Sequence, residues 1–409
     1  MNQKEYIAGL DIGTTKACCV VAEADLDSGA VDIIGVGLTP TEGLRRGVVV
    51  DLDATTEAVR GAVDKAQRMA GAVAIRSVVA GVTGEHVSSL NSRGVIAITN
   101  PDREIGPHDV ERVVEASKVI VLPPEREIIH AIPRGFVVDG QDGIRDPVGM
   151  SGSRLEVETH IVTGSTAFLE NVQKCIQRAG FAIESTVLEP IATSESAVMP
   201  AEKDLGVALV DVGGGTTDVA VFVGGEIFYT AVLPVGGASV TRDIAVGLRA
   251  DQAEAERVKI EHGCATADLV QEEEAFEVTS LGAESPRELP RAILARIIEP
   301  RMQEIFQMVR EQLVRSGYFE LLPAGVVMTG GGALMPGAVE LAESTLRMPV
   351  RLGLPRNVGG LNDTVQDPIY ATAVGLVLYA ARHHADLREQ EKGATLGQSI
   401  KDLFRRLFG

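Results

Sequence analysis

The chain alternates short apolar runs with glycine-rich turns, and two of these runs flank the sequence DVGGGTTD at 211–218. The runs at 205–211 and 219–223 have the length and the Val, Leu and Ala content of buried strands. A flexible linker would instead be flanked by polar, Ser-rich sequence. The pattern therefore predicts a tight hairpin at 211–218. The similar sequence GLDIGTTK at 9–16 predicts a second hairpin in the other half of the chain.

Both hairpins carry an aspartate, Asp11 or Asp211, at the end of the first strand and a Gly/Thr turn after it. Glycine permits positive φ and leaves amide N–H groups without a covering Cβ, and successive free N–H groups form an anion-binding nest. A carboxylate beside such a nest repels a bare anion unless a hard cation such as Mg²⁺ lies between them, usually through water. Two such hairpins, one in each half of the chain, predict a site in which a phosphate chain is held from both sides. The alternative is that each is an ordinary glycine-rich turn.

A third glycine cluster, TGGGALMPG at 329–337, follows a strand-like run and would let a flat ring lie against the backbone. The segment 249–263 predicts a helix on which Glu256 and Lys259 share one face. The two side chains form either a solvated ion pair or a pair that grips a ribose. The glycine–lysine pattern of P-loop NTPases does not occur in the sequence, so that class of nucleotide site is poorly supported.

Composition narrows the class of protein further. The length of 409 residues suggests two or more domains. The net charge of −19 argues against a general nucleic-acid binder, which would carry a basic surface. Neither a signal peptide nor an apolar run long enough to span a bilayer is expected from the sequence. The cysteines lack CxxC spacing and are expected to be buried, reduced thiols: Cys18, Cys19, Cys175 and Cys264.

The composition changes after Arg382, where a polar segment at 385–398 predicts a linker. The final segment, SIKDLFRRLFG at 399–409, predicts an amphipathic helix. Its apolar stripe comprises Ile400, Leu403, Phe404, Leu407 and Phe408, and its basic side includes Arg405 and Arg406. This helix could dock on the protein's own core, on a partner groove or on a membrane surface. The polar tether and the adjacent arginines favour an anionic membrane.

These motifs together resemble the actin/Hsp70/sugar-kinase ATPase superfamily, in which LDIGTTK and DVGGGTTD would be the phosphate hairpins and TGGGALMPG the adenosine motif. Segments 188–196 and 367–382 would contain the two connecting helices. Within this superfamily the chain resembles the FtsA family of bacterial cell-division proteins nearly from end to end. The more specific similarities are GVVVDLDATTEAV (47–59), DPVGMSGSRLEVETHIVTG (146–164), RVKIEHGCA (257–265), IIEPR (297–301) and the C-terminal helix.

The resemblance implies an α/β fold of the actin-like type, with two RNase H-like domains around a nucleotide cleft. It also implies an inserted subdomain in the first domain and a C-terminal amphipathic helix. The implied boundaries are 1–83, 164–203 and 358–384 for the first core (1A), 84–163 for the inserted interaction subdomain (1C), 204–243 and 299–357 for the second core (2A), 244–298 for the outer subdomain (2B), 385–398 for the linker and 399–409 for the membrane-targeting helix.

Members of this family bind ATP, form actin-like filaments and tether the ring of the tubulin-like protein FtsZ to the cytoplasmic face of the inner membrane at the division site. For this chain the resemblance implies ATP and Mg²⁺ as cofactors, with slow ATP hydrolysis. It implies FtsZ as a partner through 244–298 and later division proteins as partners through 84–163, with no nucleic acid. The main alternative is a soluble ATP-dependent enzyme of the same fold, such as a sugar kinase or an exopolyphosphatase.

The resemblance also assigns roles to individual residues. The phosphates would be held by Gly13, Thr14, Thr15, Lys16, Gly213, Gly214, Gly215 and Thr216, and Gly236 and Gly237 would assist at the terminal phosphate. Mg²⁺ would be held through water by Asp11 and Asp211. The ribose and adenine would be flanked by Glu256 and Lys259, and the adenosine would pack on Gly330, Gly331, Gly332 and Ala333.

Two carboxylates are candidates for the hydrolytic step. Glu189 would orient or polarise the attacking water. An equally supported alternative is a structural role, in which Glu189 is a carboxylate at a helix N-terminus, just before Pro190, where the helix dipole favours negative charge. Asp211 is the second catalytic candidate, acting through the metal ion. Asp218 lies on the second strand of its hairpin, where its side chain could point away from the cleft. ATP binding is therefore a safer expectation than rapid turnover.

The C-terminal helix generates a first testable prediction. The full chain is expected to sediment with vesicles that contain anionic lipid, whereas a chain ending at Lys392 is expected to stay in solution because it lacks the apolar stripe and the arginines. The cost of ordering the segment offsets much of the gain from burying its apolar side chains. Binding should therefore strengthen when a filament presents many tails together. Equal sedimentation of the two chains would contradict the membrane interpretation.

Overall fold

A computed structural model of the chain describes residues 4–71, 73–283 and 285–385. The expected membrane helix at 399–409 and the expected linker from residue 386 onward lie outside the described residues, so both remain predictions. In the part that is described, no helix is both long enough and apolar enough to cross a membrane.

The strands alternate with helices along the chain, as the apolar runs predict. In chain order the strands are β1 (Lys4–Ile12), β2 (Lys16–Asp25), β3 (Ala30–Pro40), β4 (Leu44–Arg45), β5 (Val48–Val49), β6 (Ser77–Val82), β7 (Ser88–Ala97), β8 (Arg126–Val138), β9 (Gln141–Ile144), β10 (Arg154–Ser165), β11 (Ala182–Leu188), β12 (Val207–Val212), β13 (Thr217–Val223), β14 (Glu226–Leu233), β15 (Ala275–Val278), β16 (Arg287–Pro290), β17 (Val326–Thr329), β18 (Val350–Leu352) and β19 (Gly359–Gly360).

The helices connect these strands and cover the sheets. They are α1 (Leu52–Met69), α2 (Pro107–Ser117), α3 (Thr166–Ala179), α4 (Glu189–Ala197), α5 (Pro200–Leu205), α6 (Gly237–Leu248), α7 (Gln252–His262), α8 (Arg291–Ser316), α9 (Ala338–Leu346), α10 (Asn362–Val365) and α11 (371–385). Short 3₁₀ turns lie at Ala267–Leu269, Phe319–Leu321, Gly331–Leu334 and Pro368–Tyr370.

The two large sheets share a five-strand topology, to which the first sheet adds β19 at its edge. The first has the strand order β11-β6-β1-β2-β3-β19, and the second has the order β14-β13-β12-β17-β18. In each sheet an antiparallel meander of three strands (β1-β2-β3 or β12-β13-β14) is followed by two parallel strands (β6 and β11, or β17 and β18). Both predicted hairpins therefore occupy equivalent places, between the first two strands of a sheet.

The connecting helices α4 and α11 pack between the two sheets and share a buried core with both of them. The helices approach so closely that a Cβ added to Gly375 on α11 would lie 2.0 Å from the carbonyl oxygen of Ala192 on α4. The other face of the first sheet is covered by α1 and α3. A separate core under the second sheet contains side chains from α6, α8 and α9. The two halves of the molecule are thus joined through one apolar layer.

A smaller four-stranded antiparallel sheet, with the order β7-β10-β8-β9, projects from the first half and is covered by α2. We call these strands and α2 the inserted sheet. It also contacts strand β14 of the second half. The Ser89 hydroxyl donates to the Thr230 carbonyl at 2.8 Å, and the His160 ring lies 3.0 Å from the Thr230 hydroxyl. The inserted sheet therefore bridges the two large domains.

The local predictions differ from the structure at several element ends. The strand expected at 205–211 is β12, which begins at Val207 because α5 extends to Leu205 and Gly206 turns the chain with a φ of 112°. The helix expected at 249–263 is α7, and Asp251 caps it by accepting the Glu254 N–H at 2.8 Å. The cysteines are free and buried, as expected.

The close packing of the connecting helices yields a second prediction. Gly375→Ala should lower the free energy of unfolding by about 1–3 kcal/mol, because the added methyl group forces α11 away from α4. Chemical denaturation followed by far-UV circular dichroism measures this change. Gly135→Ala on β8 is the matched control, since its added Cβ meets nothing nearer than an oxygen at 4.0 Å. Equal midpoints for the two variants would contradict the packing explanation.

Candidate functional site

A cleft of about 320 Å³ lies between the two large domains, where the hairpins face each other. It brings together most of the residues singled out from the sequence: Asp11, Gly13, Thr14, Thr15, Lys16, Glu189, Asp211, Gly213, Gly214, Gly215, Thr216, Gly237, Glu256, Lys259, Gly330, Gly331 and Gly332. Gly236 and Ala333 do not line this cleft. They lie next to residues that do.

The two hairpin turns have the same hydrogen-bonding pattern. The Gly13 N–H donates to the Lys16 carbonyl, and the Gly213 N–H donates to the Thr216 carbonyl, each at 2.9 Å. The turn residues between them leave amide groups free. Within the described residues, no hydrogen bond is donated by the N–H groups of Thr14, Thr15, Gly214 and Gly215. These amides are available to an anion in the cleft.

The reason for glycine in the second hairpin differs from the expected one. None of 213–215 has a positive φ, so conformational freedom does not explain the three glycines. Instead, a Cβ on Gly215 would lie 2.2 Å from the Thr14 hydroxyl, and a Cβ on Gly214 would lie 2.6 Å from the Thr15 side chain. Glycine is required at 214 and 215 because the two hairpins touch across the cleft.

Four carboxylates converge beneath the hairpins: Asp11, Glu189, Asp211 and Asp218. Asp11, Glu189 and Asp218 are 5%, 8% and 3% exposed. One cation is among them, since the Lys16 ammonium lies 2.9 Å from an Asp11 carboxylate oxygen. The Thr372 hydroxyl donates to Asp211 at 3.1 Å. The side chains of this cluster therefore carry more negative than positive charge.

Asp218 faces the cleft, so the possibility that it points away is wrong. Its carboxylate accepts hydrogen bonds from the hydroxyls of Thr83 and, at 3.3 Å, Thr216. Asp211 and Asp218 are paired directly across β12 and β13, which places their side chains on the same face of the sheet. The orientation of Asp218 depends on this pairing of β12 with β13, which the local sequence does not reveal.

The crowding changes how these acids titrate. Burial, reinforced by the charge of Asp11, raises the pKa of Asp211 to about 6. Burial raises the pKa of Asp218 to about 7. It raises the pKa of Glu189 well above its usual range, and the nearby charges of Asp11, Asp218 and Asp211 act in the same direction. Burial lowers the pKa of the Lys16 ammonium, but the neighbouring groups together, with Asp11 foremost, raise it more, so the net shift is upward.

The carboxylate oxygens of this cluster are suited to a hydrated divalent cation. Among the described residues, no three His, Cys, Asp or Glu side chains are arranged to hold a metal ion directly. Mg²⁺ commonly keeps several waters and binds through one or two carboxylates plus substrate phosphates. Asp11 and Asp211, beside free amides and a lysine, fit that mode of binding.

The other side of the cleft contains the ion pair that the sequence analysis left open. The Lys259 ammonium lies 2.7 Å from the Glu256 carboxylate and donates to the Thr241 hydroxyl on α6 at 2.9 Å. The Thr241 hydroxyl in turn donates to Glu256. The pair is therefore held at the cleft wall by a neighbouring helix, with the Lys259 side chain only 13% exposed.

The third glycine cluster forms the floor beside this pair. Gly330 has a φ of +82°, and a Cβ there would lie 2.2 Å from an Asp211 carboxylate oxygen, so only glycine fits. A Cβ on Gly331 would meet only Ile369, at 3.8 Å, which leaves a flat backbone surface open to the cleft. The apolar residues around it are Val240, Ile260, Met302, Leu334, Met335 and Ile369.

Gly236 and Gly237 lie at the start of α6, behind the second hairpin. The Gly237 N–H donates to the Gly213 carbonyl at 2.9 Å, and the Ala238 N–H donates to the Gly214 carbonyl at 2.8 Å. These amides brace the hairpin from behind. A role at a terminal phosphate remains a proposal.

Thr83 and Thr372 each donate a hydrogen bond to a cleft carboxylate and were not among the residues expected from the sequence. Thr83 follows β6 in the sequence VTG, and this Gly/Thr turn after an apolar run is the same signal that identified the two hairpins. Thr372 carries no such signal, because it lies on α11 and reaches Asp211 only through helix packing.

Two sheets of one topology around a cleft lined by paired Asp–Gly/Thr hairpins define the actin-like ATPase class of folds, and the expected fold class is confirmed. The solved PilM-PilN type IV pilus biogenesis complex matches with a TM-score of 0.68 and 19% identity, over 92% of this chain and 98% of that chain. MreB5 of Spiroplasma citri bound to ADP matches with a TM-score of 0.54 and 14% identity, over 94% and 98%.

Sequence comparison defines the family within this class. Cell division protein FtsA of Pseudomonas aeruginosa is 46% identical over 93% of this chain and 91% of its own length. The protein of the same name from Bacillus subtilis is 43% identical over 94% and 85%. Family models described as cell division protein FtsA and as the SHS2 domain inserted in FTSA match 208–375 and 84–163. The chain therefore belongs to the FtsA family of cell-division proteins.

The carboxylate cluster yields a third prediction. A carboxyl group whose folded-state pKa is raised stabilises the fold below its unfolded pKa, and this contribution is lost as the pH rises through the folded value. Glu189→Gln removes the ionisable group, so the ligand-free variant should melt at a higher temperature than the wild type at about pH 8 and at nearly the same temperature at about pH 4.5. Thermal denaturation at the two pH values tests this.

The exposed Glu57→Gln on α1 provides the matched control, with no pH-dependent gain expected. A Glu189→Gln variant that melted below the wild type at about pH 8 would show that the ionised carboxylate stabilises the empty cleft, which would contradict repulsion among the four carboxylates.

Proposed function

We propose that this chain binds ATP with Mg²⁺ in the cleft and uses nucleotide-dependent assembly to tether the FtsZ ring to the cytoplasmic face of the inner membrane at the division site. The observation that carries the proposal is the convergence of two equivalent hairpins on one carboxylate cluster. Free amides on both hairpins suit a chain of phosphates, and the excess of carboxylates suits the cation that accompanies it.

Both domains would contribute residues that contact the nucleotide. The turn amides of both hairpins and Lys16 would hold the phosphates, while Asp11 and Asp211 would hold Mg²⁺ through water. The Glu256–Lys259 pair would flank the ribose and adenine, with the ring against the open backbone at Gly331. Because these groups come from both halves, a bound nucleotide would link the halves and favour one relative orientation.

Hydrolysis is proposed to be slow. Mg²⁺ supplies positive charge at the transferred phosphoryl group. Glu189 lies at the N-terminus of α4 and lines the cleft, so it is the candidate for orienting or polarising the attacking water. Burial and the neighbouring carboxylates raise the pKa of Glu189, which disfavours the ionised form that a general base requires. A bound cation would favour the ionised form of Glu189, so the activity of this candidate base would depend on the cation.

The remaining parts of the proposal follow from the family. The amphipathic segment 399–409 would anchor the chain at the membrane, and filaments would make many weak anchors act together. The outer subdomain 244–298 would contact FtsZ, and the inserted subdomain 84–163 would contact later division proteins.

ATP binding gives a fourth prediction. The wild-type chain should bind ATP, and Mg²⁺ should increase its affinity. Asp211→Asn should reduce that increase about tenfold or more, which corresponds to about 1.4 kcal/mol, because one carboxylate that holds the hydrated cation is lost. Isothermal titration with and without Mg²⁺ measures both values. The exposed Asp64→Asn on α1 is the matched control and should behave as the wild type.

Adaptor function is tested in the same preparation. With anionic vesicles, FtsZ and Mg²⁺–ATP, the full chain should carry FtsZ into the pellet, and Asp211→Asn should carry less. If FtsZ stayed in solution while the chain bound ATP and consumed it with a sugar or polyphosphate, the soluble enzyme of the same fold would replace the adaptor as the proposed function.

A further inference from the structure

A histidine of the inserted sheet makes a direct contact with the element that presents Glu189. The Leu188 amide N–H donates to the Nε2 atom of His130 at 2.9 Å. Leu188 is the last residue of β11 and directly precedes α4, of which Glu189 is the first residue. His130 lies on β8, in the inserted sheet. One hydrogen bond thus joins the inserted sheet to the start of the helix that carries Glu189.

The chemistry of His130 suits this role. Burial, with a smaller effect from the charge of His383, lowers the pKa of His130 to about 4. The ring is therefore neutral at physiological pH, and because Nε2 accepts the Leu188 N–H, the proton of the ring lies on Nδ1. A neutral ring nitrogen is a strong acceptor for an amide that β11 leaves unpaired at its end.

Glu189 has few other restraints. Within the described residues, its carboxylate accepts no hydrogen bond. Its side chain rests on Gly81 of β6, where an added Cβ would lie 3.0 Å from the Glu189 Cγ atom. The position of the carboxylate therefore depends on the backbone at 188–189, to which His130 is bonded.

The first connection to the inserted sheet also reaches the cleft. Thr83 donates to Asp218, and the next residue, Gly84, has a φ of +140°. The His86 Nδ1 atom accepts the Ser165 N–H at 3.2 Å, which ties this connection to the end of β10. Movement of the inserted sheet relative to the first domain would thus act on two carboxylates of the cluster, one through Thr83 and one through His130.

We propose that His130 is a positioning residue for ATP hydrolysis: by holding the Leu188 amide, it sets the place of the Glu189 carboxylate and makes turnover depend on this one contact of the inserted sheet. The inference rests on the proposed ATP site. In the reaction a water oxygen forms a bond to the γ-phosphorus, the bridging bond to ADP breaks, and the proton of the water leaves through Glu189 to solvent. The products are ADP, phosphate and a proton.

The test compares two pairs of variants in the full chain. His130→Leu removes the acceptor at similar volume. His130→Gln can place an oxygen near the position of Nε2, whereas the shorter His130→Asn cannot, so this polar pair decides the outcome even if the leucine variant fails to fold. His160→Leu is the matched control, because His160 is a buried neutral histidine of the same sheet that bonds Asn91 and Thr230 instead of α4.

Three quantities are measured: the dissociation constant for Mg²⁺–ATP, the single-turnover rate of phosphate release, and hydrogen exchange of the Leu188 amide without nucleotide. We expect His130→Leu and His130→Asn to slow phosphate release about tenfold or more with the dissociation constant unchanged. They should also speed exchange at Leu188. His130→Gln should restore both properties, and His160→Leu should change neither.

The other possible results contradict either the proposed function or the inference on His130. A wild-type chain that does not bind ATP overturns the proposed function and this inference with it. A wild-type chain that binds ATP without measurable hydrolysis overturns the inference alone, as do unchanged phosphate release in His130→Asn, failure of His130→Gln to restore it, or an equal loss in His160→Leu.

Discussion

Electrostatic repulsion among buried carboxylates is the constraint on which the cleft depends. Asp11, Glu189, Asp211 and Asp218 come from strands or helices of both halves and converge around the ammonium of Lys16. Burial, reinforced by the neighbouring carboxylate charges, raises the pKa values of Glu189, Asp211 and Asp218. The fold tolerates the repulsion because the apolar layer around α4 and α11 holds the backbone in place. An incoming cation would relieve the repulsion, so cation binding and stability are linked.

The geometry of the cleft depends on close contact between backbones. Gly214 and Gly215 meet Thr15 and Thr14 with no space for a Cβ. The carbonyl groups of the second hairpin are bonded from behind by the first amides of α6. The hairpins are therefore pre-formed around the proposed place of the phosphates, and a ligand there would not have to order them.

The inserted sheet is connected to this centre at separate points. Thr83 reaches Asp218 at its first connection, His130 bonds the start of α4, and Thr230 of β14 bonds both Ser89 and His160. A module proposed to bind partners is thus in mechanical contact with the groups proposed to carry out hydrolysis. Bonds of this kind couple two sites only if the linking elements have two arrangements.

Much of the candidate site could be predicted because its signals are local. The Asp–Gly/Thr hairpins, the Glu256–Lys259 pair and the glycine cluster at 329–337 are each encoded within a few residues, as are the apolar runs that form the strands. The similarity of the two hairpins also predicted that they face each other, and the shared fold class is confirmed. The proposed membrane role of segment 399–409 rests on the sequence alone.

The tertiary structure alone decided which distant side chains complete the site. Whether Asp218 faces the cleft depends on the register of β12 and β13, because successive side chains alternate between faces of a sheet. Thr372 and His130 reach the cleft elements through packing of α11 and of the inserted sheet, for which no local pattern exists. Local sequence determined the turns and their chemistry. Long-range pairing determined their neighbours, because contacts between remote segments depend on the whole fold.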